Sequence, residues 1–308
     1  MENKYKFRDS SLSFDERVKD LLSRLTIKEK AGLMSSHMAA VPRLDIGEWY
    51  VGAEVARGYV SRNPDEPTTV FPQPIGLSGT FDTELMEKAG LAAGKEARVL
   101  NKRHPNGHLM LWGPTVDLCR NPLWGRNFEY YSEDPLVSGK MAAALTRGVQ
   151  SRYGVGTTIK HYACNNQEEN RRGVSSIVSE RALREIYLKG FEIAIKESQP
   201  KAIMTSYNKV NGVHTANSYD LCTIAARKEW GFAGIIMTDW TTTNADGGSS
   251  AAKCIAAGND LVMPGTDTDR REILDALSAE NDQYLEEKDL TACAQRILEM
   301  IFTSNSYE

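Results

Sequence analysis

The segment Gly234-Ile235-Ile236-Met237-Thr238-Asp239-Trp240 is apolar for the length of a strand and ends on a carboxylate beside an indole. A carboxylate placed there to face a bound ligand can act as a nucleophile, for instance on a sugar anomeric carbon. An Asp after a strand also caps a following helix, and from spacing alone the cap is the favoured reading. Lys160-His161-Tyr162 sits at the end of another apolar run. Adjacent residues on a strand face opposite ways, but where the backbone turns at a strand end both can reach the mouth. They would supply donors for hydroxyl groups and a positive potential that keeps a nearby carboxylate ionised. A structural ion pair with a packed His is the alternative. The polar run Asn165-Asn166-Gln167-Glu168-Glu169-Asn170-Arg171 reads either as a hydrogen-bonding loop over a polyol or as a solvated loop. Trp124-Gly125-Arg126-Asn127-Phe128-Glu129 offers a guanidinium that clamps hydroxyls or carboxylates in fixed geometry, or one engaged in a structural salt bridge. Ser206-Tyr207-Asn208 brings a phenol near Asp239 if neighbouring strands are sequential, or else a core Tyr with a satisfied hydroxyl.

Other chemistries have little to stand on. There is no Gly-x-Ser-x-Gly, no His-Glu-x-x-His, no Gly-x-Gly-x-x-Gly and no phosphate loop. The five His, at 37, 104, 108, 161 and 214, are scattered. The five Cys (119, 164, 222, 254, 293) form no Cys-x-x-Cys pair, so neither a zinc site nor a disulfide framework is expected. No metal or organic cofactor is implied. The 308 residues carry 37 Lys+Arg against 41 Asp+Glu, a net charge of −4 with no basic block, which argues against a nucleic-acid partner. No apolar run approaches the ~18 residues of a membrane span. Free thiols, the absence of an Asn-x-Ser/Thr sequon and no apolar stretch behind the N-terminal residues predict a cytoplasmic protein.

The elements that must hold these residues follow from hydropathy and capping. Ser13-Phe14-Asp15-Glu16 and Thr26-Ile27-Lys28-Glu29 are capping boxes, the first opening a helix with Val18, Leu21, Leu22 and Leu25 on one face. Residues 55–75 read as loop. Helices are predicted over 83–100, from Asp134-Pro135 to about Gln150, over 180–197 and over 218–229. Between them lie strand-length runs at Leu109–Val116, Val155–Ile159, Ala202–Thr205, Gly234–Thr238 and Asp260–Met263. Alternation of strands with helices predicts a parallel sheet. Four runs lead into polar residues: Asp117, Lys160-His161, Ser206-Tyr207-Asn208 and Asp239. That places a site at the strand C-termini of an α/β fold. With no dinucleotide or phosphate loop, a (β/α)8 TIM-type barrel is preferred to a doubly wound sheet, with residues 1–308 forming one domain and a short polar tail from Thr303.

Taken together, these motifs resemble glycoside hydrolase family 3, specifically its N-terminal barrel. The resemblance runs from about Phe14 to Met300. It includes Phe14-Asp15-Glu16-Arg17-Val18-Lys19-Asp20-Leu21-Leu22, Thr69-Val70-Phe71-Pro72-Gln73-Pro74-Ile75-Gly76-Leu77 and Gly113-Pro114-Thr115-Val116-Asp117. Trp124 to Glu129, Ser132-Glu133-Asp134, Lys160-His161, Ser206-Tyr207-Asn208 and Thr238-Asp239-Trp240 follow in the family's order. The resemblance implies a retaining β-glucosidase or β-xylosidase barrel. Asp239 would form the covalent glycosyl-enzyme. Arg126, Lys160 and His161 would hold hydroxyls of the sugar, Glu54 its far hydroxyls, and Tyr207 and Met204 would line the subsite together with Trp240. Arg57 stands where many members have His. The loop after His161 lacks the Gly-His-Gly pattern of the family's N-acetylglucosaminidases. Glu54 in place of Asp tilts the expectation toward xylosides or mixed specificity.

A retaining mechanism needs a second carboxyl group about 5–5.5 Å from the nucleophile. In most such members it is a Glu of a C-terminal α/β-sandwich domain, and this sequence shows no such domain. The acid would then come from a longer chain, from a partner chain or homodimer, or from a residue of this chain. Glu168 and Asp246 lie near the predicted mouth, but each reads more naturally as a loop-fixing group. A sugar-binding barrel without turnover, or a subunit active only with a sandwich-bearing partner, is the alternative function.

Overall fold

The computed structural model of the chain describes residues 5–61, 63–104, 109–243, 247–278 and 284–304; Asp246 and His108 lie outside the described residues. Its centre is a parallel sheet of five strands: β1 (Met110–Thr115), β2 (Gly156–Tyr162), β3 (Ala202–Thr205), β4 (Ile235–Trp240) and β5 (Leu261–Met263). These correspond to the five apolar runs of the sequence. Each strand pairs with the next in the chain, so spatial order follows sequence order. A doubly wound sheet would reverse that order at a switch point, and this one does not.

The α-helices of six residues or more are α1 (Phe14–Arg24), α2 (Ile27–Gly32), α3 (Thr83–Arg103), α4 (Pro135–Gln150), α5 (Lys189–Ser198), α6 (Ala251–Ala257), α7 (Asp267–Ser278) and α8 (Glu287–Thr303). Both predicted capping boxes form: Ser13 and Thr26 accept from the amides of Glu16 and Glu29, whose carboxylates reach back to the cap amides. Asp134 caps α4, accepting from Leu136 and Val137 N–H ahead of Pro135, a residue that has no N–H to leave unpaired. The predicted 218–229 helix is present as a wider, π-type winding over Asp220–Glu229, and Leu183–Tyr187 winds the same way ahead of α5.

Alternation along the strands sorts the core. Leu111, Ile159, Ile203 and Ile236 face α3, α4 and α5, joining Ala93, Leu145, Phe191 and Ile195 in one apolar cluster. Met110, Trp112, Met204 and Met237 turn the other way and join Met34, Met38 and Trp49 of the N-terminal segment and Leu290 and Ile297 of α8. A strand buried on both faces is apolar at most positions, as in β1 and β4, whereas β2 is wholly buried with Thr157, Thr158, Lys160 and His161 in it.

The eight-strand expectation is corrected in one respect. Among the described residues the parallel ladder has five strands, not eight. Beyond its edges the pairing continues only as single bridges, Glu54 with Trp112 on β1 and Ser35 with Val262 on β5. Between those two positions the chain makes a two-residue antiparallel pair, His37–Met38 with Trp49–Tyr50. Pro42, Gly47 and Gly52 interrupt this stretch, so no apolar run of strand length can build there. A small three-stranded sheet, Ser175–Ser176, Lys209–Val210 and Val213–His214, lies on the loops after β2 and β3 and was not predicted.

Candidate active site

Three strands deliver polar residues to the same end of the sheet. Lys160 and His161 lie in the last turn of β2, joined by a cis peptide, Tyr207 follows β3, and Asp239 and Trp240 close β4. Together with Glu54, Arg126, Met204 and Arg171 they line a pocket of about 140 Å³. That is small beside the ~300–1,000 Å³ of drug-sized ligand pockets. All eight residues proposed from the sequence are present in it. Arg171, which sequence reasoning left inside an undifferentiated polar run, is the addition.

Glu54 reaches the pocket because its backbone is stitched to β1. Trp112 N–H donates to Ala53 O at 2.7 Å and Val55 N–H donates to Trp112 O at 3.2 Å. Gly52 makes this possible: its φ is +97°, and a Cβ there would sit 1.8 Å from the Trp112 indole. The Trp112 ring in turn meets Trp240 edge-on at 5.5 Å, which fixes the indole at the pocket rim. Lys160, its side chain only 4% exposed, donates to both oxygens of Glu54 at 2.8 Å.

Asp239 is buried, and its Oδ1 accepts from the Trp240 amide at 2.7 Å. Burial pushes its carboxyl above the usual Asp range. The Trp240 amide, the charges of Lys160 and Arg126 and a hydrogen bond from Tyr207 pull it back. It is therefore no helix cap: its partners are the groups of the pocket. The Tyr207 phenol is pushed up to about 12 by burial and by Asp239, so it remains a donor at neutral pH. Arg171 and Arg172 lie over the Tyr207 ring at 4.4 and 5.1 Å, and Arg172 also donates to Thr241 Oγ1 at 2.7 Å.

His161 is buried and its imidazole is driven well below the usual His range by burial, then by Arg126, Lys160 and Arg171. It is neutral, so its 3.7 Å approach to Asp239 Oδ2 is not an ion pair. Its Nε2 lies 3.2 Å from Arg126 Nη2 and its Nδ1 2.5 Å from the Tyr130 hydroxyl.

The second carboxylates are all engaged. Arg126 Nε donates to Glu129. Glu168 accepts from Trp124 Nε1 at 2.9 Å and from Arg171 Nη1 at 2.6 Å, with Arg126 Nη1 at 3.9 Å. It fixes the loop carrying Arg171 against the loop carrying Arg126. Asp117, after β1, does not line the pocket; it is buried and accepts from Cys164 and Asn165 N–H at 3.1 Å. Arg57 is exposed and lies outside the lining. Among the described residues no group of His, Cys, Asp and Glu could hold a metal ion.

This geometry can be set beside known proteins. Residues 28–300 match the glycosyl hydrolase family 3 N-terminal domain. The chain belongs to glycosyl hydrolase family 3. It is 40% identical over 297 residues to a β-glucosidase of Rhizobium radiobacter, covering 94% of this chain and 35% of that protein. With thermostable β-glucosidase B of Acetivibrio thermocellus it shares 37% over 303 residues, covering 92% of this chain and 38% of the relative. The solved β-glucosidase 3B of Thermotoga neapolitana in complex with α-D-glucose is 38% identical with a TM-score of 0.83, covering 94% of this chain and 43% of the other. The chain thus spans about a third of the length of the curated relatives it matches, and its fold is the TIM-barrel-like α/β fold of the family's N-terminal domain.

Proposed function

We propose that this pocket is the glycone subsite of a retaining β-glycosidase acting on non-reducing terminal β-glucosyl residues, with β-xylosyl residues as the second substrate class. The observation that carries the reading is Asp239: a buried carboxylate with one oxygen fixed by the Trp240 amide, set among groups whose charges and hydrogen bonds favour its ionised form. In the proposed reaction an Asp239 oxygen attacks the anomeric carbon, the glycosidic C–O bond breaks and the aglycone oxygen takes a proton from an acid. Water then attacks the glycosyl-enzyme, giving its proton to that same group and releasing Asp239. Lys160, Arg126 and Arg171 offer donors to hydroxyls, and Glu54, held by Lys160, accepts from them.

We assign the acid/base to a group outside the described residues, on a further domain or a partner chain. Support comes from the engaged state of Glu54, Glu129 and Glu168, and from the curated relatives extending well beyond the region that this chain matches. The test pairs 2,4-dinitrophenyl β-glucoside and β-xyloside with the corresponding methyl glycosides. A dinitrophenolate departs without protonation, so Asp239 suffices for it. Turnover of the activated pair alone is the expected result. Turnover of both would put the acid in this chain or its homodimer. Turnover of neither, with measurable glucose binding, would favour a sugar-binding barrel.

A further inference from the structure

Tyr130 is fully buried, sits outside the pocket lining and has its hydroxyl 2.5 Å from His161 Nδ1. We propose that Tyr130 is a positioning residue that holds His161 as the Nδ1–H tautomer and so makes His161 Nε2 a hydrogen-bond acceptor at the pocket. The argument is one of donors and acceptors. Arg126 Nη2 can only donate, so the Nε2 that faces it at 3.2 Å must carry a lone pair. A neutral imidazole then has its proton on Nδ1, and the group placed to accept it is the Tyr130 oxygen. The charged and titratable groups facing the ring, namely Arg126, Lys160, Arg171 and Asp239, leave the neutral form the favoured one, with burial the dominant cause.

The ring is held from the outside in. Trp124 packs on Tyr130 with ring centroids 4.6 Å apart, and its own indole N–H is committed to Glu168. Tyr130 is therefore set by the same Glu168 that orients Arg171. The consequence for the pocket is chemical. Nε2 has a single lone pair and it faces Arg126, so this tautomer lets His161 accept from the guanidinium and steady it, while Arg126, Lys160 and Arg171 present their remaining donors to sugar hydroxyls. That last step rests on the glycosidase reading; the tautomer does not.

The experiment is ¹⁵N-histidine NMR of the full chain, with His161 assigned by its loss in His161→Asn. The expected spectrum has a pyrrole-type Nδ1 and a pyridine-type Nε2 for His161, unchanged between pH 8 and pH 5. A protonated Nε2 in the wild-type chain would overturn the proposal without any variant. Tyr130→Phe removes the acceptor, and the two nitrogens should then move toward each other as the tautomers mix. The kcat/KM for dinitrophenyl β-glucoside should fall by about tenfold. Because Tyr130 acts through His161, the double variant should be no slower than His161→Asn alone. Additive losses, or wild-type nitrogens in Tyr130→Phe, would refute it. A wild-type chain that turns over no activated glycoside would sink the glycosidase reading, and the nitrogen shifts would still decide the role of Tyr130.

Discussion

Lys160→Met is the substitution whose consequences the geometry fixes best. The side chain is almost wholly buried, makes two 2.8 Å bonds to Glu54 and adds a positive charge felt by Asp239. Methionine retains the unbranched stem and its packing but removes the ammonium. Hydrogen bonds to charged groups are worth about 1.5–3 kcal/mol each. Loss of one such contact to the sugar in the transition state lowers kcat/KM by roughly 10- to 150-fold at about 1.4 kcal/mol per decade. Glu54, whose side chain is 45% exposed, can turn to water, so the fold should survive with little change in Tm. A second effect is independent of binding. Asp239 already lies above the ordinary carboxylate range because it is buried, and Lys160 is one of the groups opposing that shift. Without Lys160 the carboxyl rises further, so the acid limb of the rate profile must move to higher pH. The assay is kcat/KM for dinitrophenyl β-glucoside from pH 4 to 8, since that leaving group needs no acid. A value within twofold of wild type with an unmoved acid limb would refute the placement of Lys160 beside both carboxylates.

Four further outcomes follow from the same geometry. Asp239→Asn should abolish turnover of activated glycosides and raise Tm by a few degrees at pH 7, because a group whose folded pKa is raised costs stability once the pH passes its unfolded value; calorimetry and the glycoside assay check both halves. Glu168→Gln should weaken the hold on Arg126 and Arg171 and lower kcat/KM by about tenfold while Tm changes little, measured on the same substrate. Glu29 is held at about 2 by Arg43, with burial opposing and Thr26 assisting, so its contribution is present above its ordinary value of 4.5 and lost as pH falls toward 2; Glu29→Gln should therefore narrow the stability difference between pH 6 and pH 3 in urea titrations. Chelators should leave turnover of dinitrophenyl β-glucoside unchanged, as Asp239 chemistry calls for no metal.

The sequence made the sheet legible because strands buried on both faces are mostly apolar along their length. Leu109–Val116 and Gly234–Thr238 stood out for that reason, and the second led into Asp239 and Trp240, which close its strand. The N-terminal third was harder. Its contribution is single bridges at Ser35 and Glu54 and a two-residue pair, too short for any alternation to register, so the eight-strand count outran what forms. The site was legible where chemistry stands out by residue type at a strand end, as with Asp239 and Lys160. Arg171 was not, because it closes a seven-residue polar run in which every member could hydrogen-bond. What selects it is the Tyr207 ring at 4.4 Å, a contact between loops that the chain brings together only on folding, beside a local bond to Glu168 at 2.6 Å. Tyr130 escaped for the same reason. As an aromatic beside Tyr131 it reads as core, and its partner, His161, lies 31 residues away. Gly52 is the residue whose role was least visible, since its φ of +97° and the Trp112 ring above it follow from tertiary packing.

The most direct test of the account is covalent. Incubation of the chain with 2,4-dinitrophenyl 2-deoxy-2-fluoro-β-glucoside slows breakdown of a glycosyl-enzyme more than its formation, so the intermediate accumulates. Intact mass spectrometry should show one added fluoroglucosyl group, and peptide mapping should place it on the segment ending in Thr238-Asp239-Trp240, with no label in Asp239→Asn. A label on another carboxylate, or an unlabelled chain that still turns over dinitrophenyl β-glucoside, would contradict the assignment of Asp239 as the nucleophile.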